Sequence, residues 1–347
     1  MKDVCQALVL ELLSAPAAGK TLWVMDDNPV LEDFIRLNGN KDIEILSNRY
    51  DIGQQMARLG LITHVSDFDF SALSAYQRIV YRISKEKMLT HHVINAALRK
   101  LAPDGILYLI GGKQDGIKSI VKQAAELYQQ EVSARKHGSA YLAEFSACAD
   151  NLIDDARLPD ASYTELRLVE HALMPFHSKP GVFGWEKVDK GSQLLVSCLP
   201  KVMQYMKDVG SVLDLGCGWG YLMLSTADSD IAVRVATDNN VAAIDAARRN
   251  FAEAGLMVDC VLDDAGSHIR QRFDLILCNP PFHQGFSVSD SLTEKFLANA
   301  SRLSRRSTRA VFVVNQFIPL PSLSQKYFSE CRQLAAADGF SVYELRP

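Results

Sequence analysis

Short apolar runs and helix-like apolar spacings alternate along the first half of the chain. Residues 21–25 form an apolar run that ends in turn-forming residues, which is typical of a buried strand. Apolar residues recur at helical spacing over 89–101, and the run at 106–110 again has the character of a buried strand. Shorter runs at 43–46 and 77–83 predict two more strands. The first half is therefore expected to repeat strand and helix.

The second half alternates more regularly than the first. Strands followed by helices in this way predict a doubly wound, mainly parallel sheet with helices on both faces. Such sheets bind ligands beyond the carboxyl ends of their strands. The predicted strands are 211–215, 231–237, 257–262, 273–278 and 310–314, and the predicted helices are 192–206, 221–227, 241–254 and 292–303.

The two halves share a rhythm, since a helix, a turn and a strand at 89–110 are matched at 292–314. A chain of 347 residues is also long for a single core. We therefore predict two tandem Rossmann-like α/β domains, 1–165 and 166–347, the first of which lacks a glycine loop and is degenerate. After residue 314 we expect no further strand and only a short tail.

Composition limits the classes of protein that need to be considered. The net charge of -4 and the pI near 6.1 predict that any contact with nucleic acid uses a local patch. The seven cysteines are widely spaced without a Cys-x-x-Cys pair, which argues against a disulfide framework and a zinc site. No apolar stretch approaches the roughly 20 residues that span a bilayer. Glu11 interrupts the apolar run near the N-terminus, which favours an amphipathic helix over a secretory leader. We expect a cytoplasmic protein without metal.

A glycine-rich loop follows the strand at 211–215. Gly216, Gly218 and Gly220 let the backbone turn tightly and approach a ligand closely. Asp214 lies within the strand end, where its carboxylate would repel a pyrophosphate but favour the cationic sulfonium and amino groups of S-adenosylmethionine. Asp238 ends the next strand, about twenty residues on, and suits hydrogen bonds from ribose hydroxyls. The pattern predicts S-adenosylmethionine as the cofactor.

Two more acids follow the third strand of this half. Asp263 and Asp264 are placed to accept a hydrogen bond from the adenine amino group. Acids at three successive strand ends favour a cofactor site over a glycine loop that serves packing alone.

The segment Asn279-Pro280-Pro281-Phe282 directly follows the strand at 273–278. An amine conjugated to an aromatic base is a poor nucleophile, because its lone pair is delocalised into the ring. The Asn279 side-chain oxygen and the Pro280 carbonyl would accept its two hydrogens and direct the lone pair at the methyl group. Phe282 offers a face on which an unpaired base stacks. The segment therefore predicts methylation of an exocyclic amine.

Together these motifs resemble the class I methyltransferases of the Asn-Pro-Pro-(Phe/Tyr) group. The segments 180–183, 189–195 and 282–285 further resemble the ribosomal RNA guanine-N2 methyltransferases, and most closely the small subunit methyltransferase C family. The resemblance implies two tandem methyltransferase-like domains, of which only the second keeps the cofactor loop. The first domain would then serve as scaffold and RNA-docking surface.

The resemblance also implies a set of site residues in this sequence. Trp219 departs from the family pattern, where a smaller residue is usual, and its effect on the cofactor pocket is left open. The implied catalytic residues are Asn279, Pro280 and Phe282, the substrate-binding residues are Phe282, His283 and Gly285, and the cofactor-binding residues are Asp214, Gly216, Cys217, Gly218, Asp238, Asn239, Asp264 and Asn279.

The expected activity is methylation of guanine N2 in 16S ribosomal RNA by a monomer that acts on the RNA or on the small ribosomal subunit. Alternatives with the same chemistry are large-subunit RNA, DNA adenine or a protein glutamine. The glutamine enzymes usually carry Tyr in place of Phe282, which disfavours that substrate. A ribosome-assembly factor that binds RNA without catalysis is the non-enzymatic alternative, and the intact motifs argue against it.

Other signals carry less weight. Residues 14–21 nearly spell a phosphate-binding loop, but Ser14 replaces the first glycine and a helix precedes it, so we reject that interpretation. His91 and His92 are predicted to lie on a helix surface. Basic residues that form either a solvated face or a phosphate-binding surface are Arg302, Arg305, Arg306 and Arg309, with Lys113, Lys118 and Lys122 in the first domain.

Overall fold

Two seven-stranded sheets organise the chain, one in each of the units Met1–Glu165 and Leu166–Pro347. Within the residues described, no helix combines the length and apolar character needed to cross a membrane. The structure is a computed structural model that describes residues 3–26, 31–147, 157–172, 174–281 and 290–347.

The first sheet is parallel from β3 to β5 and ends in two antiparallel strands. Its order is β3-β2-β1-β4-β5-β7-β6. The central strands β1 and β2 are buried along their whole length, because helices cover both faces of such a sheet. Short 3-10 helices lie at Leu31–Leu37 and Lys113–Asp115. The elements are α1 (Val4–Ser14), β1 (Thr21–Met25), β2 (Ile43–Ser47), α2 (Tyr50–Arg58), β3 (Ile62–Val65), β4 (Tyr76–Arg82), α3 (Lys87–Lys100), β5 (Leu101–Gly112), α4 (Ile117–Tyr128), β6 (Arg135–His137) and β7 (Ala140–Ser146).

The second unit opens with a two-stranded sheet, β8 and β9, before its main sheet begins. The main sheet has the order β12-β11-β10-β13-β14-β16-β15, with the last two strands antiparallel to their neighbours. The elements are β8 (Arg167–Val169), β9 (Phe176–Ser178), α5 (Lys190–Met203), β10 (Ser211–Leu215), α6 (Tyr221–Leu224), β11 (Val233–Asp238), α7 (Val241–Glu253), β12 (Asp259–Leu262), β13 (Phe273–Cys278), α8 (Asp290–Arg302), β14 (Ser304–Asn315), α9 (Leu320–Ser324), β15 (Glu330–Ala337) and β16 (Phe340–Arg346).

The two main sheets repeat one topology. If the strands of each sheet are counted from its own first strand, both orders read 3-2-1-4-5-7-6. Each sheet also pairs its first strand with its second and its fourth, in parallel. The predicted fold class, two tandem Rossmann-like α/β domains, is confirmed.

The end of the chain differs from expectation. We expected no strand beyond 314, but β15 and β16 follow and form an antiparallel hairpin on the edge of β14. Every position of β15 is half-buried or exposed, and the buried positions of β16 fall in adjacent pairs, so neither strand is a continuous apolar run or a strict alternation. Such a pattern is weak in sequence when one face is only partly covered.

The histidine pair also differs from expectation. His91 is 1% exposed, and its Nδ1 lies 2.9 Å from the carbonyl oxygen of Pro159. The Nε2 of His92 lies 2.9 Å from the carbonyl oxygen of Phe68, and its ring stacks on Tyr163. The prediction of a surface pair is therefore wrong, because residues 157–165 fold back over α3 and provide hydrogen-bond partners that the local sequence does not reveal.

The core of the second unit holds β10 and the loop at its carboxyl end in place. Strand β10 lies between β11 and β13, and its five residues are all buried. Successive residues of β10 belong to apolar clusters on opposite sides of the sheet, for example Val212 to one cluster and Leu213 to the other. A central strand packed on both faces holds the loop at its carboxyl end in a defined position.

Candidate functional site

The glycine loop after β10 folds back over the end of β11. The N–H groups of Gly216 and Cys217 both donate to the carbonyl oxygen of Thr237, at 2.8 and 2.9 Å. Gly216, Gly218 and Gly220 all have positive φ angles, +82°, +54° and +98°, a region that glycine enters without a Cβ clash. The loop thereby brings its own backbone beside the end of β11.

Asp238, the last residue of β11, closes this loop. Its Oδ2 accepts the N–H of Gly218 at 2.9 Å, and its Oδ1 accepts the N–H of Asn240 at 3.0 Å. A carboxylate offers about four acceptor positions, which is more than these two bonds use. Asn239, also predicted to bind the cofactor, is half-buried in the turn that follows Asp238.

Asn240 is a residue that the sequence analysis missed. Its side-chain oxygen accepts the N–H of Ala242 and caps α7, while its Nδ2 donates to the carbonyl oxygen of Gly181 at 3.1 Å. The segment around Gly181 therefore lies against the end of β11. Only the capping role is visible in sequence, because Gly181 is 59 residues away along the chain.

Asp214 is fully buried one residue before the end of β10. Its Oδ2 accepts the N–H of Met223 at 3.1 Å, while its Oδ1 has no hydrogen-bond partner among the residues described. Burial raises the pKa of Asp214 to about 7, against the lowering effect of the Met223 hydrogen bond. A buried acid with a free oxygen favours a cationic ligand.

Two loop residues belong to the core. Trp219 is 4% exposed and stacks on Phe176 of β9, with ring centroids 3.9 Å apart and 6° between the planes. The question that the sequence left open is thus answered, since the large ring packs against the β8–β9 sheet. The Cys217 side chain is also buried, which raises its pKa well above the usual value. Its contact within the loop is made by its backbone N–H, which donates to Thr237.

The acids after β12 have separate environments. Asp263 is 1% exposed and accepts hydrogen bonds from the N–H groups of Asp264 and His268, which builds the turn after the strand. Asp264 pairs instead with Lys295 of α8. The sequence analysis missed Lys295, because a pairing across 31 residues depends on where α8 packs.

Asn279 lies directly after β13, at the same edge of the sheet as the glycine loop. The pairing of β13 with β10 sets Leu277 opposite Asp214, so the two strands end side by side. The Nδ2 of Asn279 donates to Asp189 Oδ2 at 3.0 Å and to Ser192 Oγ at 2.8 Å. Its Oδ1 is buried and has no partner among the residues described.

The structure describes only part of the rest of the Asn-Pro-Pro-Phe segment. Pro280 is buried and Pro281 is exposed. The predicted substrate-binding residues Phe282, His283 and Gly285 lie outside the described residues.

Asp189 and Ser192 hold the Asn279 amide, and the sequence analysis placed them only in the segment 189–195 that resembles the family. Asp189 caps α5, since its Oδ2 accepts the N–H of Ser192 at 2.8 Å, and an aspartate before a helix is a recognisable cap. The sequence signal for the cap is sound, but it says nothing about a partner some 90 residues later.

The arginine cluster is largely engaged in intramolecular contacts. Arg302 donates to the carbonyl oxygens of Gly266 and Ile269, each at 2.7 Å. Arg305 pairs with Asp274. Arg309 pairs with Glu344, which is 1% exposed. Three of the four arginines therefore contact other parts of the second unit, although Arg302, Arg305 and Arg306 are exposed to solvent. In the parts of the chain that the structure covers, no group of three or more His, Cys, Asp or Glu side chains could hold a metal ion.

Two family models match the chain. Residues 173–344 match the model "Methyltransferase small domain", and residues 18–152 match "Methyltransferase small domain N-terminal". The two matched segments lie one in each unit of the structure. The segment 173–344 contains the glycine loop and Asn279.

Curated relatives match over most of the chain. The Ribosomal RNA small subunit methyltransferase C of Aliivibrio salmonicida is 29% identical over 263 residues, 75% of this chain and 74% of the relative. The protein of the same name from Actinobacillus pleuropneumoniae is 28% identical over 317 residues, 90% of both chains.

A solved structure shows the same fold along the chain. It is the T. thermophilus 16S rRNA N2 methyltransferase in complex with AdoMet and guanosine, with a TM-score of 0.83 and 24% identity. The match covers 99% of this chain and 92% of that one. The arrangement of both sheets, the matched family models and the curated relatives agree, and the chain belongs to the ribosomal RNA small subunit methyltransferase C family.

Proposed function

We propose that this protein transfers a methyl group from S-adenosylmethionine to the exocyclic N2 amine of a guanine in 16S ribosomal RNA. The observation that carries the proposal is the buried Oδ1 of Asn279 beside the glycine loop, which has no hydrogen-bond partner within the described part of the chain. An unpartnered buried acceptor is costly, so its presence in the folded chain points to a donor supplied by a ligand.

The residues at the strand ends fit S-adenosylmethionine. Asp214 offers a buried carboxyl oxygen that has no partner among the residues the structure describes, which suits a cationic cofactor and opposes a pyrophosphate. Asp238 is a carboxylate acceptor beside the glycine loop, which suits the ribose hydroxyls. Asp264, which faces Lys295, remains the candidate for the adenine side. The AdoMet in the T. thermophilus relative supports the same choice.

The chain's own groups prepare the amine. When bound, S-adenosylmethionine supplies an electrophilic methyl group. The Oδ1 of Asn279 and the carbonyl oxygen of Pro280 would each accept a hydrogen from N2, which draws that nitrogen toward tetrahedral geometry and frees its lone pair. The proline ring fixes the backbone of the acceptor loop. The methylated amine then releases its proton to water, so no strong base is required.

The substrate assignment rests on the relatives together with the acceptor. The curated relatives are named for the small-subunit ribosomal RNA, and the solved relative for N2 of 16S rRNA, with guanosine bound. An exocyclic amine is the donor that a carbonyl acceptor selects. Phe282, which lies outside the described residues, is proposed to stack the base, with His283 and Gly285 beside it.

The first unit is proposed to serve as scaffold and RNA-docking surface. Helix α4 carries the basic side chains Lys118 and Lys122 along a surface groove. The Lys118 ammonium also lies over the Tyr141 ring, 5.1 Å from its centroid. Lysines near an aromatic ring suit contacts with phosphate and base.

The decisive test is the Asn279→Ala variant. We expect methyl transfer to small ribosomal subunits from cells lacking the protein to fall by at least about 100-fold, because one preorganised contact to the reacting group is lost. Affinity for S-adenosylmethionine should stay near the wild-type value. Transfer is measured with labelled methyl groups, affinity by calorimetry, and the modified guanosine by mass mapping.

Asn299→Ala on α8 is the matched control, because the Asn299 side chain bonds only Arg302 in the hydrogen bonds described. It should transfer methyl groups at the wild-type rate. Wild-type turnover by Asn279→Ala would refute the role given to this amide, and label found on another nucleotide would refute the substrate.

A further inference from the structure

Asn279 is held at only one end of its side-chain amide. Its Nδ2 has two partners at the start of α5, Asp189 Oδ2 and Ser192 Oγ, while no described residue donates to its Oδ1. We propose that Asp189 and Ser192 are positioning residues for methyl transfer, which fix the Asn279 amide so that its oxygen, and not its nitrogen, meets the substrate amine. This inference rests on the proposed function.

The chemistry of the partners sets the orientation. A carboxylate only accepts hydrogen bonds, so the atom of Asn279 that faces Asp189 must be its NH2 group. The oxygen then has to point the other way. The two ends of an amide are almost equal in size, so without these partners a half-turn about the last side-chain bond costs little. The flipped amide would present N–H groups to an amine that itself needs acceptors.

The start of α5 is built to hold the carboxylate in place. Asp189 Oδ2 also accepts the N–H of Ser192 at 2.8 Å, so one oxygen joins the helix cap to Asn279. Gly191 lies between Asp189 and Ser192 in the sequence, and a Cβ at this position would lie 3.0 Å from Asp189 Oδ2 and 2.7 Å from the Phe340 ring. Any larger residue at 191 would therefore displace the ring or the carboxylate.

The same contacts strengthen the acceptor. An N–H group that donates to a carboxylate pushes electron density along the amide toward its oxygen, as in other hydrogen-bond chains. Ser192 is 7% exposed, and the Asn279 oxygen is buried, so little water competes at this point. The pair thus both orients Asn279 and makes its oxygen a better acceptor for the hydrogens of N2.

Two variants separate positioning from helix capping. Asp189→Ser keeps a side chain that caps α5 well but is too short to reach Asn279. Ser192→Ala removes one acceptor of Asn279 and leaves the N–H of residue 192 capped. Both should lower kcat on small ribosomal subunits by about 10-fold to 100-fold, the usual effect of losing a group that orients a reacting side chain. Cofactor affinity and Tm should change little.

Ser197→Ala is the matched control, since this serine lies on the same helix, its Oγ donates to the Leu194 carbonyl at 2.7 Å, and none of the hydrogen bonds described joins it to Asn279. It should keep the wild-type kcat. A loss of kcat in Asp189→Ser or Ser192→Ala that is matched by an equal loss of cofactor affinity or by unfolding would show a structural role and overturn the inference.

A rescue experiment gives a second readout. Asn279→Asp sets two carboxylates against each other and should be nearly inactive, whereas the double variant D189N/N279D restores a donor facing an acceptor. We expect the double variant to be at least about 10-fold more active than Asn279→Asp alone, because the effects of substitutions at two contacting residues are coupled. No gain in the double variant would count against positioning.

Failure of this inference differs from failure of the proposed function. If Asn279→Ala is inactive while Asp189→Ser and Ser192→Ala turn over at the wild-type rate, only the positioning role is wrong. If Asn279→Ala itself keeps wild-type turnover, the proposed function of the amide is wrong and the positioning role falls with it.

Discussion

Asp214 combines complete burial with an oxygen that lacks a partner among the residues described. Its pKa is raised to about 7, first by burial and further by the nearby Asp238, against the Met223 hydrogen bond. An acid whose pKa is higher in the folded chain than in the unfolded chain binds more protons when folded. The folded state therefore loses stability as the pH rises from near 4 through 7.

The Asp214→Asn variant tests this directly. Asparagine matches the neutral acid in shape and still accepts from Met223, but does not ionise. Between about pH 5 and about pH 8 the wild type should lose roughly 3 kcal/mol of free energy of unfolding relative to the variant. Urea denaturation of both proteins at the two pH values measures the difference. An unchanged difference would mean that the pKa of Asp214 is not raised.

At the level of single residues, the sequence predicted the chemical type of the site residues better than it predicted the contacts that side chains make. Asn279 and Asp238 were singled out as an acceptor and a ribose acid, and both lie at strand ends of the same sheet edge. Trp219 could not be placed, because its stacking on Phe176 joins a glycine loop to a strand 43 positions earlier in the printed sequence. His91 was misplaced for the same reason.

Among the elements, the glycine loop and α7 are packed against each other most tightly at Gly220. A Cβ at this position would lie 2.6 Å from the Phe251 ring of α7, and φ is +98°. The loop therefore depends on glycine here both for its backbone angle and for room.

We expect Gly220→Ala to reduce the free energy of unfolding by roughly 2–4 kcal/mol, the combined cost of a left-handed alanine and an overpacked ring. Gly255→Ala is the control, because φ is +64° but nothing lies within 4 Å of its Cβ. It should lose roughly 1 kcal/mol. Chemical denaturation compares the two, and equal losses would show that Phe251 yields freely.

Apolar periodicity predicted β1, β2, β4 and α3 of the first half, and most elements of the central sheet of the second half, within a few residues, whereas α2 was not predicted. The periodicity failed for β15 and β16, whose burial alternates irregularly on a partly covered edge. It also missed β3, which is half-exposed and lies at the edge of its sheet. Central strands are read easily from sequence because both of their faces are buried.

For the whole molecule, the repeated topology allows the two units to be compared position by position. Asn48 follows β2 where Asp238 ends β11, because the registers set Met25 opposite Ser47 and Leu215 opposite Thr237. The residues after β1 also lack a Gly-x-Gly sequence. The first unit thus has neither the Gly-x-Gly loop nor an acid at the position that corresponds to Asp238.

We therefore expect calorimetry on the full chain to give one S-adenosylmethionine per chain. Asp238→Ala should weaken binding by at least about 10-fold, because its charge-assisted hydrogen bonds to the ribose are lost. Asp245→Ala on the exposed face of α7 is the control and should bind as the wild type does. Two sites per chain, or undiminished binding by Asp238→Ala, would contradict the asymmetry between the units.

The sequence by itself determined the alternation of strands and helices, the glycine loop after the first strand of the second unit and the acceptor residue after the fourth. These features are local, since each depends on the apolar period or turn chemistry of a few neighbouring residues. The tertiary structure alone decided which end of the Asn279 amide is held, where Trp219 packs and which acids the arginines meet. Those contacts join residues tens of positions apart, and only the packing of the sheet and its helices brings them within hydrogen-bonding distance.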